Sequence, residues 1–187
     1  LSLETRLALF KDDAIHTIAT GGAYTVCEHQ ADGAAELTVC LGAGATGLAV
    51  RLETVKTFDQ LLRSNKRADG TVLVYEGGGW TGHIIELKTT VTAAKWQQAQ
   101  EQLRDGVPRL AAVAGVLGVE VTAWRFWLAF REDRLSARTA DPVGLEAPLG
   151  TRPDPDDPWA TWSAPVVDGG PIAGRVPRGG VTLDHGG

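Results

Sequence analysis

The chain has 187 residues, of which 43% are hydrophobic and 22% charged, and it carries a net charge of -5. That composition belongs to a soluble globular domain with its own core. It excludes a membrane span, since no apolar run reaches ~18 residues, and it argues against a protein that coats nucleic acid by bulk electrostatics. The charge is uneven: seven acids and three arginines follow from Asp141 on, a net of -4, which leaves -1 for residues 1–140. A local basic patch is therefore compatible with the body of the chain. No basic segment followed by an apolar one opens the sequence, which predicts no secretory leader and a cytoplasmic location. Cys27 and Cys40 are too few for a disulfide framework and read as reduced thiols. The histidines, His16, His29, His83 and His185, show no metal-ligand spacing.

In chain order, apolar residues at Leu3, Leu7, Phe10, Ala14 and Ile18 step by threes and fours. This spacing predicts an amphipathic helix over 3–18, capped by Ser2 and closed by Gly21-Gly22. Tyr24–Glu28 and Glu36–Leu41 flank Ala31-Asp32-Gly33 and read as a strand pair. Gly42, Gly44 and Gly47 match the GxGxxG spacing of dinucleotide loops. That fingerprint requires a helix directly afterwards, and 48–54 alternates like a strand, so nucleotide recognition there ranks third among the functional readings. Thr57–Asn65 reads as a short helix.

Next comes the stretch from Lys66 to Gln102. Thr71–Tyr75 and His83–Leu87 are apolar segments around Gly77-Gly78-Gly79, which predicts a hairpin. Alternation puts Glu86 and Lys88 on one face with Ile84, and His83, Ile85 and Leu87 on the other. His83 therefore points away from Glu86 and reads as structural. A turn centred on Gly78 places Asp69 opposite Leu87, and a slip of one residue places it opposite Glu86 or Lys88. Either way two acids and a lysine arrive at one end of the hairpin. Two carboxylates are hard ligands suited to Mg2+ or Mn2+, and the Leu87 main-chain carbonyl offers a further ligand. Lys88 is placed to stabilise charge on a phosphoryl oxygen or to position the attacking water.

A capped helix follows, beginning at Thr90 or Thr92 and ending at Asp105-Gly106. Trp96, Ala99 and Leu103 form its buried stripe, and Lys95, Gln98 and Gln102 lie on the neighbouring one. Pro108–Leu117 reads as a second, Ala-rich helix. Val119–Phe130 is a strand apolar on both faces, and its aromatics read as core rather than as a base-stacking surface. From Ala140 on, Pro, Gly and Asp dominate, as in Pro153-Asp154-Pro155-Asp156-Asp157-Pro158. This predicts one α/β domain over 1–140 and an irregular acidic tail over 141–187, with Trp159 and Trp162 pinning it to the body.

Asp69, a turn, a strand ending Glu86-Leu87-Lys88 and a helix carrying Gln98 or Gln102 together resemble the PD-(D/E)XK, or restriction-endonuclease-like, nuclease superfamily. Ala68 stands where that family often has Pro. The resemblance covers about a third of the chain. It implies a mixed central β-sheet flanked by helices, with the acids and lysine on a hairpin at the sheet's edge. It also implies Mg2+- or Mn2+-dependent hydrolysis of a phosphodiester, in DNA before RNA. Asp69, Glu86 and the Leu87 carbonyl would hold the metal, Lys88 would assist the water or the transition state, and Gln98 would orient the water. The alternative is a fold-retaining module without catalysis that acts through a protein or nucleic-acid partner. A homo-oligomer fits either reading, and neither involves a membrane.

Overall fold

A computed structural model describes residues 1–30, 33–52, 62, 64–133, 162–163, 174–175 and 181–184. A short helix α1 (Leu3–Leu7) precedes strands β1 (Ile15–Ile18), β2 (Ala23–Gln30), β3 (Gly33–Leu41), β4 (Thr46–Val50), β5 (Gly70–Glu76) and β6 (Gly79–Val91). Helix α2 (Ala93–Leu117) and strand β7 (Val121–Asp133) follow, then three short strands, β8 (Trp162–Ser163), β9 (Gly174–Arg175) and β10 (Val181–Asp184). The class is α/β. One sheet has the order β1-β4-β5-β6-β7-β8 and is mixed, because β7 lies parallel to both β6 and β8 while the other pairs are antiparallel. The second sheet, β2-β3-β10-β9, is antiparallel throughout.

Two apolar cores lie on opposite faces of the mixed sheet. On one face Leu73, Ile84, Phe126 and Leu128 pack against Trp96, Leu103 and Leu110 of α2. On the other, Val72, Ile85, Leu87 and Trp127 pack against Val26, Leu37 and Val39 of the second sheet. Strand alternation produces this sorting, since neighbouring residues of β5, β6 and β7 feed opposite cores. It also explains why β7 is apolar on both faces. The expectation of helices on both sides is thus corrected among the described residues: the second face is covered by strands. The tail accounts for part of this cover, because β10 pairs with β3 and β9 pairs with β10.

Two helix boundaries differ from the sequence reading. α1 stops at Leu7, with Ser2 Oγ accepting from the Thr5 N–H at 3.2 Å, and Ile15–Ile18 is a strand paired with β4. A spacing of four keeps Ala14 and Ile18 on one face of a strand as well as of a helix. The β-branched Ile15, Thr17 and Ile18 then favour the strand once a partner is available. α2 runs unbroken through Asp105, Gly106 and Pro108 for 25 residues. Gly106 does not stop the helix. A Cβ there would lie 2.8 Å from Ile84 Cγ2, so Gly permits the helix to approach β6. Pro108 is exposed, so its ring and its missing N–H lie on the solvated side of the helix. The buried stripe Leu103, Val107, Leu110, Val113 and Leu117 continues across it and holds both halves in one helix. The helix starts at Thr92, whose Oγ1 accepts from the Lys95 N–H, and ends at Gly118 with φ 67°. Arg6 of α1 donates from Nη1 to Val116 O at 2.9 Å, placing a cation at the helix C-terminus. The short helix expected over Thr57–Asn65 falls largely outside the described residues.

Candidate active site

Strand β4 directly follows Gly42–Gly47, so no helix N-terminus is present to take a pyrophosphate, and the dinucleotide reading is removed. The hairpin β5–β6 is present. Its turn is Gly77-Gly78, with φ 61° and 87°, and Glu76 pairs with Gly79. Positive φ at both central residues gives the twist that a two-residue hairpin needs, and Gly adopts it without steric cost. The turn is one position earlier than one centred on Gly78. Gly70 consequently pairs with Ile85, and the next position outward sets Asp69 against Glu86.

Side-chain geometry agrees with that register. Asp69 Oδ2 accepts the Leu87 N–H at 2.7 Å, a charge-assisted bond that ties the first acid to the middle of the Glu86-Leu87-Lys88 triplet. Glu86 has no exposed surface and Lys88 is 5% exposed. Lys88 Nζ is ion-paired with Glu86 Oε1. Alternation puts both on the Ile84 face, toward α2. A carboxylate removed from water requires a cation beside it, and Lys88 occupies that place. The structure therefore brings Asp69, Glu86 and Lys88 together at one end of the hairpin. The hairpin lies within the sheet, between β4 and β7, rather than at its edge.

The helical glutamines separate. Gln98 is exposed, whereas Gln102 is half-buried and donates from Nε2 to Arg67 O at 3.1 Å. Gln102 is thus the one that anchors the segment leading into Asp69. Of the nearby cations, Lys66 is ion-paired with Glu101. Arg109, inconspicuous in the sequence, is buried in α2 and donates to Asp105 O at 2.8 Å and to Ser64 O at 2.6 Å, fixing the same approach. Val107, Leu110, Ala112 and Val113 around it were the signal available for its burial.

His83 lies on the opposite face, as alternation requires. Its Nδ1 accepts from Trp127 Nε1 at 3.1 Å, with the two rings stacked at 6.1 Å. Burial, assisted by the positive charge of Arg125, pushes its pKa down to about 3. The ring is a neutral acceptor at Nδ1 and belongs to the core.

Asp69 also contributes to a cavity of about 560 Å³ that the sequence did not foreshadow. Asp12, Asp13, His16, Tyr24 and Arg51 line it as well, whereas Glu86 and Lys88 do not. Gly70 sits at its inner wall, where a Cβ would meet Val26 Cγ2 at 2.5 Å, so only Gly lets β5 pass this close to β2. Compared with protein-family models, curated proteins and solved structures, the chain matches none.

Among the described residues, no three His, Cys, Asp or Glu side chains are grouped to hold a metal ion. The donors at hand are two carboxylates, Asp69 and Glu86, with the Leu87 carbonyl. This is a sparse set, and it fits Mg2+, which is commonly held by one or two carboxylates with waters and substrate phosphates completing an octahedron. It does not fit zinc, for which sulfur and imidazole donors would be needed. No helix among the described residues is long and apolar enough to cross a membrane.

Proposed function

We propose that the protein is a metal-dependent nuclease with a restriction-endonuclease-like core, acting on DNA in preference to RNA. The observation that carries the proposal is the bond from the Leu87 N–H to Asp69 Oδ2, since it draws an acid distant in sequence onto the Glu86-Leu87-Lys88 strand end. The mixed sheet, with β6 leading through α2 into the parallel β7, supports the reading, and the triplet stands inside that sheet rather than at its edge.

Asp69, Glu86 and the Leu87 carbonyl would hold Mg2+ or Mn2+. A bound ion of this kind would acidify water and stabilise charge on a phosphoryl oxygen. Lys88 holds its ammonium against Glu86 in the present arrangement. With the carboxylate engaged elsewhere, that ammonium becomes available to a phosphate oxygen or an attacking water. Gln102 keeps the approach to Asp69 in place through Arg67 O, and Gln98 stands on the exposed face where a strand of nucleic acid would pass.

The burial of Glu86 and Lys88 favours a second reading, a fold-retaining module that binds a partner without cutting. Cleavage assays on plasmid, linear and single-stranded DNA and on RNA separate the two, run with Mg2+, Mn2+ or EDTA. The nuclease reading expects metal-dependent cutting that is lost in Glu86→Gln and Lys88→Met, with circular dichroism showing both variants folded. No cutting on any substrate, together with no heat of Mg2+ or Mn2+ binding by calorimetry, leaves the binding module.

A further inference from the structure

The cavity beside Asp69 lies between the edge strands of two different sheets. β1 borders the mixed sheet and β2 borders the antiparallel one. Its volume, about 560 Å³, is that of a small-molecule site rather than a packing defect. Ile15, Val26 and Val50 are the aliphatic members of a lining that is otherwise largely polar. His16 and Tyr24 stand together at its wall, ring centroids 5.7 Å apart and tilted by 32°. Asp12 is an exposed carboxylate at its rim. Arg51 Nη1 lies 3.7 Å from Asp13 Oδ2, in a pair whose side chains are both well exposed. An exposed pair of that kind contributes little to stability.

These features select a ligand. Asp12, Asp13 and Asp69 disfavour an anion within the cavity, so the group that enters it is not the phosphate itself. The aromatic wall of His16 and Tyr24 suits a flat ring. A carboxylate at the rim accepts hydrogen bonds and rewards an edge rich in N–H donors. A nucleobase meets all three conditions, guanine best, since its N1–H and N2–H2 donate side by side to one carboxylate. A base is free to enter only when it is out of a helix.

Resting on the nuclease reading, we propose that this cavity is a nucleoside subsite that receives the unpaired base flanking the phosphodiester at Asp69. The base lies on the His16–Tyr24 wall and donates to Asp12, and Arg51 at the rim faces the neighbouring phosphate. Because Asp69 belongs both to the cavity and to the hairpin end, a nucleotide lodged in the one delivers its adjoining phosphodiester to the other. The preferred substrate class is therefore single-stranded or locally unpaired nucleic acid.

The test begins with binding, measured on the full chain in EDTA by ligand-observed NMR or calorimetry with guanosine, uridine and their deoxy forms. Guanosine is expected to bind more tightly than uridine. Tyr24→Ala and Asp12→Asn should each weaken it at least tenfold, and Tyr24→Phe, which keeps the ring, should not. The deoxy forms report whether the sugar is read. A second arm compares cleavage of single strands with that of a perfect duplex, where Tyr24→Ala should raise KM and leave kcat within about twofold. Absence of guanosine binding at millimolar concentration, or binding insensitive to both Tyr24 and Asp12, overturns the subsite even if the protein cuts. Nucleoside binding with the expected variant pattern but no cutting of any substrate overturns the nuclease reading and leaves the cavity as a nucleoside site.

Discussion

Replacing Lys88 by Met keeps the side-chain volume beside Glu86 and removes the Lys88 ammonium. Glu86 is wholly buried, and Lys88 is its ion-pair partner. Breaking a buried pair from one side costs about 3–5 kcal/mol, because an uncompensated charge remains in a medium of low polarity. Total stabilities lie at about 5–15 kcal/mol, so the single variant is expected to lose a large share of its stability while staying folded in the absence of urea. With a urea m-value of about 2 kcal/mol/M, its midpoint should fall by about 1.5–2.5 M. The double variant, Glu86→Leu with Lys88→Met, removes both charges and leaves apolar chains among Ile84, Phe126 and the helix. It should regain that loss and end between neutral and about 4 kcal/mol more stable than the starting protein. Urea unfolding followed by tryptophan fluorescence and circular dichroism gives all three stabilities, and the double-mutant comparison isolates the pair. A loss below about 1 kcal/mol for Lys88→Met, with no recovery in the double variant, would show an exposed pair and refute this reasoning. A double variant that is more stable yet inactive is the expected signature of a charge pair kept for chemistry.

Three further outcomes follow from other parts of the structure. His83 has a folded pKa of about 3 against about 6.5 unfolded, so its neutral form favours the fold. That stability is full above pH 6.5 and is lost as pH falls toward 3, by at most about 5 kcal/mol, and thermal melts across that window should be flatter for His83→Gln. Gly70→Ala drives a Cβ into Val26 and should cost about 1–3 kcal/mol, with Val26→Ala in the same chain restoring part of the loss in chemical denaturation. Pro108→Ala removes a residue that lacks an N–H and fits poorly inside α2, and should raise stability by about 1–3 kcal/mol in a melt without altering the helix ends.

The sequence alone determined what depends on neighbours within a few residues. The alternation in 83–88 sorted His83 from Glu86, the Gly-rich turn indicated a hairpin, and Thr90 or Thr92 marked a helix start, since pleat, positive φ and capping are local properties. Asp69, Glu86 and Lys88 were legible as one cluster for the same reason: a hairpin carries its register outward from the turn. The tertiary structure decided what depends on distant partners. It chose a strand for Ile15–Ile18, where a spacing of four suits helix and strand alike, because β4 offered backbone pairing. It kept α2 whole across Gly106 and Pro108, because the apolar stripe on both sides of them is buried on one sheet. It placed a second sheet where helices were expected, and it opened beside Asp69 a cavity whose walls come from segments far apart in the chain. Such features draw their free energy from surfaces that meet only when the chain is folded, and no local pattern records them.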